Sequence, residues 1–142
     1  MKTKFSPVVK LRQNKLDDIE MHLSAARAHK NMLEMRLEKA KMLLANEVFP
    51  KSGNSATLQI ALSIHALLIS ELEELKQKIA HATNQIYQLE NAYKTAFVEL
   101  EKMKYLETEE IKRILKERDK IAAKELDEIA TQRFYSLNKA QP

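Results

Sequence analysis

One short segment, about a third of the way along the chain, is the place where a helix has to end. Residues 49–55 read Phe-Pro-Lys-Ser-Gly-Asn-Ser and hold Gly53, the single glycine of the 142 residues. Pro50 cannot continue a helix, and Gly53 can adopt the left-handed conformation that often terminates one. The other two prolines, Pro7 and Pro142, lie near the chain ends. Because a β-sheet protein of this size needs several turns, the sequence predicts an all-α fold with one turn.

The rest of the chain is dominated by Leu, Ala, Glu, Lys, Ile and Met, which are mostly strong helix formers. The predicted elements are helix 1 at about 7–47, a loop at about 48–55 and helix 2 at about 56–136, in a single helical hairpin over 1–142. Ser6 followed by Pro7 suits the first turn of helix 1. Asn54 or Ser55 can cap helix 2. Residues 138–142 are expected to fray.

A heptad pattern runs through both predicted helices and defines a seam, the row of positions that faces a partner helix. In helix 1 the seam positions are Val9, Arg12, Leu16, Ile19, Leu23, Ala26, Lys30, Leu33, Leu37, Ala40 and Leu44. In helix 2 they are His65, Leu68, Leu72, Leu75, Ile79, Ala82, Ile86, Leu89, Tyr93, Ala96, Leu100 and Met103. An average period of 3.5 residues predicts a left-handed coiled coil. Because a short loop makes consecutive helices antiparallel neighbours, the sequence predicts an antiparallel two-helix coiled-coil hairpin, with a homodimer of extended chains as the alternative.

Folding the chain about Gly53 predicts which seam residues meet and where helix 2 begins to overhang. The predicted neighbours are Leu44 with Leu62, Leu23 with Ala82 and Ile86, and Val9 with Phe97. The heptad loses its regularity after Met103, close to where helix 1 runs out of residues, so the second helix is expected to be longer and to overhang. A narrow apolar stripe continues along the overhang: Ile111, Ile114, Leu115, Ile121, Leu126 and Ile129. A stripe with no partner in its own chain is expected to bind another protein.

The sequence lacks the residues that several kinds of catalytic and metal-binding sites require. One glycine cannot build a phosphate-binding loop, and the absence of Cys removes thiol nucleophiles, thiolate metal sites and disulfides. The four histidines, His22, His29, His65 and His81, have no metal-site spacing; His65, in the seam, is interpreted as a register or partner-choice device. Met32, Met35 and Met42 on helix 1 and Met103 on helix 2 are interpreted as filler at the seam, with an adaptable chaperone-like surface as the alternative. The expectation is a non-enzymatic protein without cofactor or metal.

Charge and hydropathy bear on location and partners. The formal charge of +4 is offset by 20 acids interleaved along the helices, which favours a solvated face over nucleic-acid binding. No continuous apolar run reaches the roughly 18 residues that span a bilayer, so no direct membrane insertion is expected. Early charges exclude a signal peptide, and zero Cys fits a reducing compartment. The sequence therefore predicts a cytoplasmic protein.

Three features resemble the FliJ-type proteins of the flagellar type III export apparatus. The first is the opening Lys4-Phe5, followed by Val8, Val9, Leu11-Arg12 and a heptad with the small residues Leu23-Ser24-Ala25-Ala26. The second is the two-helix layout with its break near the first third. The third is the charged stretch from Lys124 to Arg133, with its Asp-Glu-x-Ala core. The resemblance covers most of the chain. It implies a coiled coil similar in shape to the central stalk of rotary ATPases, located in the cytoplasm and peripheral to the inner membrane at the flagellar base.

The resemblance also implies partners and sites. Family members bind the flagellar export ATPase hexamer near their termini and the membrane export-gate protein near the loop, and some escort export chaperones. The residues expected to contact the ATPase are Arg113, Lys116, Arg118, Leu126 and Ile129. The residues expected to contact the gate are Leu68, Leu72, Leu75 and Ile79. The alternatives are a stalk or chaperone of a virulence type III system and a generic coiled-coil scaffold.

Overall fold

The computed structural model describes residues 1–140, with side chains described through Lys139. It contains two helices, α1 (Ser6–Ala45) and α2 (Ser55–Ala140), and no strand among these residues. The all-α hairpin with a longer second helix is thus confirmed. Helix α2 continues past the predicted end at 136. The predicted fraying falls partly on residues 141 and 142, which lie outside the described residues.

The loop between the helices uses the two residues that the sequence singled out. Gly53 has a φ angle of 136°, which side chains rarely permit. Asn54 then caps α2: its Oδ1 accepts hydrogen bonds from the Thr57 amide at 3.0 Å and from the Thr57 hydroxyl at 2.8 Å. Such a cap satisfies one of the orphan amides at a helix start. Local chemistry therefore determines where α2 begins.

Replacing Gly53 by Ala should lower the free energy of unfolding by about 1–2 kcal/mol, because a Cβ is disfavoured at this φ. The added atom would have room, since its nearest neighbour is the Thr57 Cβ at 3.8 Å, so the cost is conformational. Thermal unfolding followed by circular dichroism should show a midpoint lower by roughly 3–6 °C. Ser52→Ala is the matched control in the same loop. Equal midpoints for both variants would contradict this loop conformation.

The helices divide into two compact units, which are described separately. The loop unit comprises residues 15–96, and the terminal unit comprises residues 1–14 and 97–142. In the loop unit a core of five buried side chains lies between α1 and α2, with three half-buried ones packed against it. The buried residues are Leu33, Ala40, Leu72, Leu75 and Ala82, and the half-buried ones are Leu37, Leu44 and Ile79. In the terminal unit Leu100 is 1% exposed.

Burial follows the predicted seam throughout. Every predicted seam position of both helices is buried or half-buried, including Arg12, Lys30 and His65. Of the four methionines interpreted as seam filler, Met103 follows it and the three on helix 1 do not. Met32, Met35 and Met42 are all exposed, Met35 by 66%. That interpretation was wrong because none of the three falls on the heptad steps that define the seam.

The predicted register in the loop unit is also wrong. The Arg27 Nη2 lies 3.2 Å from the Glu90 Oε1, and Leu23 shares a shallow groove with Tyr93 rather than meeting Ala82. The helices are therefore offset by roughly two turns from the register obtained by folding about Gly53.

The loop itself explains the offset. The chain does not turn back at the end of α1. The segment after Ala45 continues alongside α2, where the Glu47 Oε2 lies 2.6 Å from the His65 Nδ1 and the Phe49 ring packs 5.5 Å from the His65 ring. Non-helical chain extends about 3.3 Å per residue, whereas a helix rises only about 1.5 Å per residue. The few loop residues therefore run alongside a long stretch of α2. Leu62, the predicted neighbour of Leu44, is consequently 50% exposed.

In the terminal unit the N-terminal part of the chain packs along more of α2 than predicted. The Ser6 hydroxyl donates to the Glu107 Oε1 at 3.2 Å, so the start of α1 lies beyond Met103. Ile111 and Ile114 are half-buried. The expectation that helix 1 runs out near Met103 was wrong by about one turn, since Ser6, the first residue of α1, lies at Glu107. The rest of the predicted stripe is exposed: Leu115, Ile121, Leu126 and Ile129.

Within the described residues one helix is long and apolar enough to cross a membrane by length and composition. This helix is α2, whose most apolar 18-residue window has a mean hydropathy of 1.4 and is 6% buried. The sequence predicted no membrane span because polar residues such as Gln59 and Ser63 interrupt the apolar run. Residues 52–70 nevertheless contain no Asp, Glu, Lys or Arg. This uncharged stretch is an unusual surface for a helix that so little of the protein covers.

Candidate interaction surfaces

The four residues expected to contact the export gate lie on the seam side of α2 in the loop unit. Leu72 and Leu75 are 8% and 5% exposed and belong to the core between the helices. Leu68 and Ile79 are half-buried. The structure thus brings the four together on one face, with Leu68 and Ile79 the more accessible members.

A clasp next to the loop joins the end of α1 to α2. It consists of the 2.6 Å contact between Glu47 and His65 and the packing of Phe49 on the His65 ring. The Glu47 side chain is 10% exposed, and its Oε1 has no hydrogen-bond partner among the described residues. His65 was expected to set register, and its contact with Glu47 is part of the offset described above. The contribution of Glu47 was missed, because the sequence placed residue 47 inside helix 1.

The residues expected to contact the ATPase lie on α2 in the terminal unit, and one of them is internally paired. Arg113 donates to Glu110 through Nη2 at 2.8 Å and through Nε at 3.2 Å. This hydrogen bonding by Arg113 lowers the pKa of the Glu110 carboxyl, and Glu110 in turn raises the pKa of Arg113. The pair is therefore fully charged near neutral pH. Arg113 is consequently less free to meet an external acid than the sequence implied.

Two other cations in this region are available to bind acidic groups of a partner. Lys116 and Arg118 are exposed and have no ion-pair partner among residues 1–139. Further along α2, Leu126 and Ile129 are 67% and 49% exposed. The terminal unit therefore presents unpaired positive charge followed by isolated apolar side chains. Such a surface suits a partner that carries acidic groups around shallow apolar sites.

A third surface was not expected from the sequence. The start of α2 exposes large aliphatic side chains: Leu58, Ile60, Leu62, Ile64, Leu67 and Ile69. Their exposure follows from the offset register, because α2 begins well before the position that lies opposite the end of α1. The uncharged run at 52–70 was the available signal, but the predicted register paired it with helix 1.

Metal-ligating side chains are not clustered among the described residues. No group of three or more His, Asp or Glu side chains among them is arranged to hold a metal ion. The grooves are shallow and open, and the one that contains His29 and His81 also contains Arg36 and Lys78. What this arrangement offers is helical surface for other macromolecules.

A family model described as the flagellar FliJ protein matches residues 1–139. The chain belongs to the FliJ family. It is therefore a component of the flagellar type III protein export apparatus, and the resemblance drawn from its opening segment, its two helices and its late charged stretch is confirmed. FliJ family members are non-catalytic components of that apparatus. Comparison with curated proteins and with solved structures gave no match.

Proposed function

We propose that the protein is a stalk-like regulator of the flagellar export ATPase that also links this ATPase to the export gate, at the cytoplasmic side of the inner membrane. Membership of the FliJ family supports the setting. The observation that supports the ATPase contact most directly is that Lys116 and Arg118, on the exposed part of α2, have no ion-pair partner among the described residues. In this proposal the terminal unit engages the ATPase and the loop unit engages the gate.

The weakness of exposed ion pairs is what makes such a surface suitable for a stalk. A single exposed pair contributes about 0–1 kcal/mol, and salt screens it. A stalk in a hexameric ring has to exchange one subunit for the next without being trapped. Several weak contacts through Lys116, Arg118, Leu126 and Ile129 allow that exchange, whereas one deep apolar contact would oppose it.

The proposed contact with the export gate is supported by the partly exposed seam residues of α2. Leu68 and Ile79 are half-buried and flank the buried pair Leu72 and Leu75. In the proposed contact, Leu68 and Ile79 touch the gate while Leu72 and Leu75 hold the helices in position. Binding by the buried pair itself would require the helices to separate there.

Escort of export chaperones is supported by a different surface. Met32, Met35 and Met42 line one open, mostly apolar groove on α1, together with Glu34, Arg36, Glu38 and Lys39. Flexible, polarisable methionines suit a surface that accepts several partners. We therefore include chaperone binding in the proposal and assign it to this methionine groove.

The test of the ATPase contact is a charge reversal at Lys116 and Arg118. The double variant Lys116→Glu, Arg118→Glu should reduce stimulation of the purified ATPase by roughly fivefold or more at low salt, since two attractions become repulsions. Arg113 is left unchanged because its reversal would also break the contact with Glu110. Circular dichroism should show unchanged helicity.

The matched control is Lys15→Glu, Lys94→Glu, which reverses two exposed charges in the loop unit. Its stimulation should equal that of the unmodified protein. Equal stimulation by the Lys116, Arg118 variant, with intact helicity, would refute the ATPase contact at this surface. So would an equal loss in the control, because the effect would then be one of net charge.

A further inference from the structure

The beginning of α2 is apolar on more than one side and has little cover. We call residues 48–69 the tip segment. Its exposed large apolar side chains, with their exposed fractions, are Val48 85%, Phe49 39%, Leu58 44%, Ile60 63%, Leu62 50%, Ile64 50%, Leu67 70% and Ile69 41%. Isolated exposed aliphatic residues are ordinary, but a run of this density usually marks a binding surface.

The placement of these side chains around the helix indicates what kind of partner fits. Ile60, Ile64 and Leu67 follow the i, i+4, i+7 spacing of one helix side. Leu62 and Ile69 are also seven residues apart, but they lie on a different side of the helix. A protein groove that receives a helix covers one such stripe. A helix that is apolar on several sides matches a surrounding apolar medium instead.

Charge points in the same direction. Residues 52–70 contain no Asp, Glu, Lys or Arg, so a polar partner would find no ionic group to recognise. Residues 36–51, on the α1 side, contain four basic and two acidic side chains, and residues 71–78, on the α2 side, contain two basic and three acidic ones. The flank that includes the loop is therefore the basic one, and Lys51 lies in the loop itself. A long Lys side chain can extend to lipid phosphates while its stem stays in apolar surroundings. Basic residues next to an apolar segment favour anionic lipid.

We propose that the tip segment inserts into the interface of an anionic lipid bilayer. Insertion is shallow, about 5–10 Å as for interfacial helices that lie along the membrane surface, and along α2 it ends at the charged residues that follow Ser70. The clasp between Glu47 and His65 keeps the loop against α2, so that the segment enters as one unit. This lipid contact goes beyond the proposed ATPase and gate contacts and uses different side chains. It also revises the expectation of no direct membrane insertion.

Flotation with lipid vesicles tests the proposal on the full-length protein. Vesicles of phosphatidylcholine mixed with phosphatidylglycerol should bind the unmodified protein, and pure phosphatidylcholine vesicles should bind it at least about fivefold less. The triple variant Ile60→Ser, Ile64→Ser, Leu67→Ser should reduce partitioning into the mixed vesicles by about 30-fold or more. Its helicity should be unchanged, since all three side chains are at least half exposed.

The matched control replaces three exposed aliphatic side chains elsewhere on the same helix, outside the proposed ATPase and gate contacts. It is Val98→Ser, Leu106→Ser, Leu137→Ser, and its vesicle binding should equal that of the unmodified protein. Three outcomes would overturn the proposal: no vesicle binding by the unmodified protein, equal binding to both vesicle types, or an equal loss in both triple variants. A dimer in light scattering that only the tip variant abolishes, without vesicle binding, would assign the surface to a second copy instead.

Discussion

Replacing Leu33 by Ala is expected to lower the free energy of unfolding by about 3 kcal/mol. Leu33 is 2% exposed and belongs to the core between α1 and α2 in the loop unit. Truncation removes apolar area and leaves a cavity, which for buried Leu residues costs about 2–5 kcal/mol. A two-helix seam is one layer of side chains thick, so neighbouring residues have little means to fill the space. The measurement is urea unfolding followed by far-ultraviolet circular dichroism.

The control for this variant is Leu43→Ala, on the same helix and with the same change of side chain. Leu43 is 61% exposed. The gain in helix propensity from Leu to Ala is common to both variants, so their difference isolates burial. Leu43→Ala should change the free energy of unfolding by no more than about 0.5 kcal/mol. Similar values for the two variants would contradict the position of the seam.

Replacing Leu75 by Asp should have a larger effect, at least about 4 kcal/mol. Leu75 is 5% exposed in the same core. The substitution loses the burial of a large side chain and also places a carboxylate in a core of Leu, Ile and Ala side chains. Since small proteins have only about 5–15 kcal/mol of stability, the loop unit should lose much of its helicity. Thermal and urea unfolding by circular dichroism measure the loss.

Leu67→Asp provides the comparison for Leu75→Asp, because Leu67 is 70% exposed on the same helix. It should remain folded, with an unfolding free energy within about 1 kcal/mol of the unmodified protein. A fully folded Leu75→Asp variant would show that Leu75 does not hold the helices together. The expected unfolding also means that loss of gate binding in this variant cannot by itself identify Leu75 as a contact.

The heptad pattern in the sequence was sufficient to identify the seam, because burial in a two-helix fold depends on the side of the helix a residue occupies. Leu16, Leu23 and Leu100 are buried where the pattern predicted. The same pattern repeats every seven residues, however, and sliding one helix by two turns keeps every seam residue in the seam. Periodicity alone therefore could not distinguish the observed register from the predicted one.

The availability of the proposed contact residues depended on side-chain contacts that the sequence leaves open. The sequence grouped Arg113 with Lys116 and Arg118 as three cations, but the contact of Arg113 with Glu110 distinguishes it from the other two. The sequence also grouped Leu72 and Leu75 with Leu68 and Ile79, and only the packing shows which pair is buried. A side chain on a helix can pair with more than one neighbour on the same helix, and packing against the other helix decides which apolar side chains are buried.

The single break at Gly53 and Asn54, the two helices and their seam were determined by the sequence, because each follows from local backbone preferences and from a periodic apolar pattern. The register was decided only in the folded hairpin, where Glu47 and Phe49 meet His65 and the loop extends along α2. The exposed tip segment is a consequence of that register. No local preference specifies how far a loop runs before it turns, and this distance decides which side chains of α2 remain uncovered.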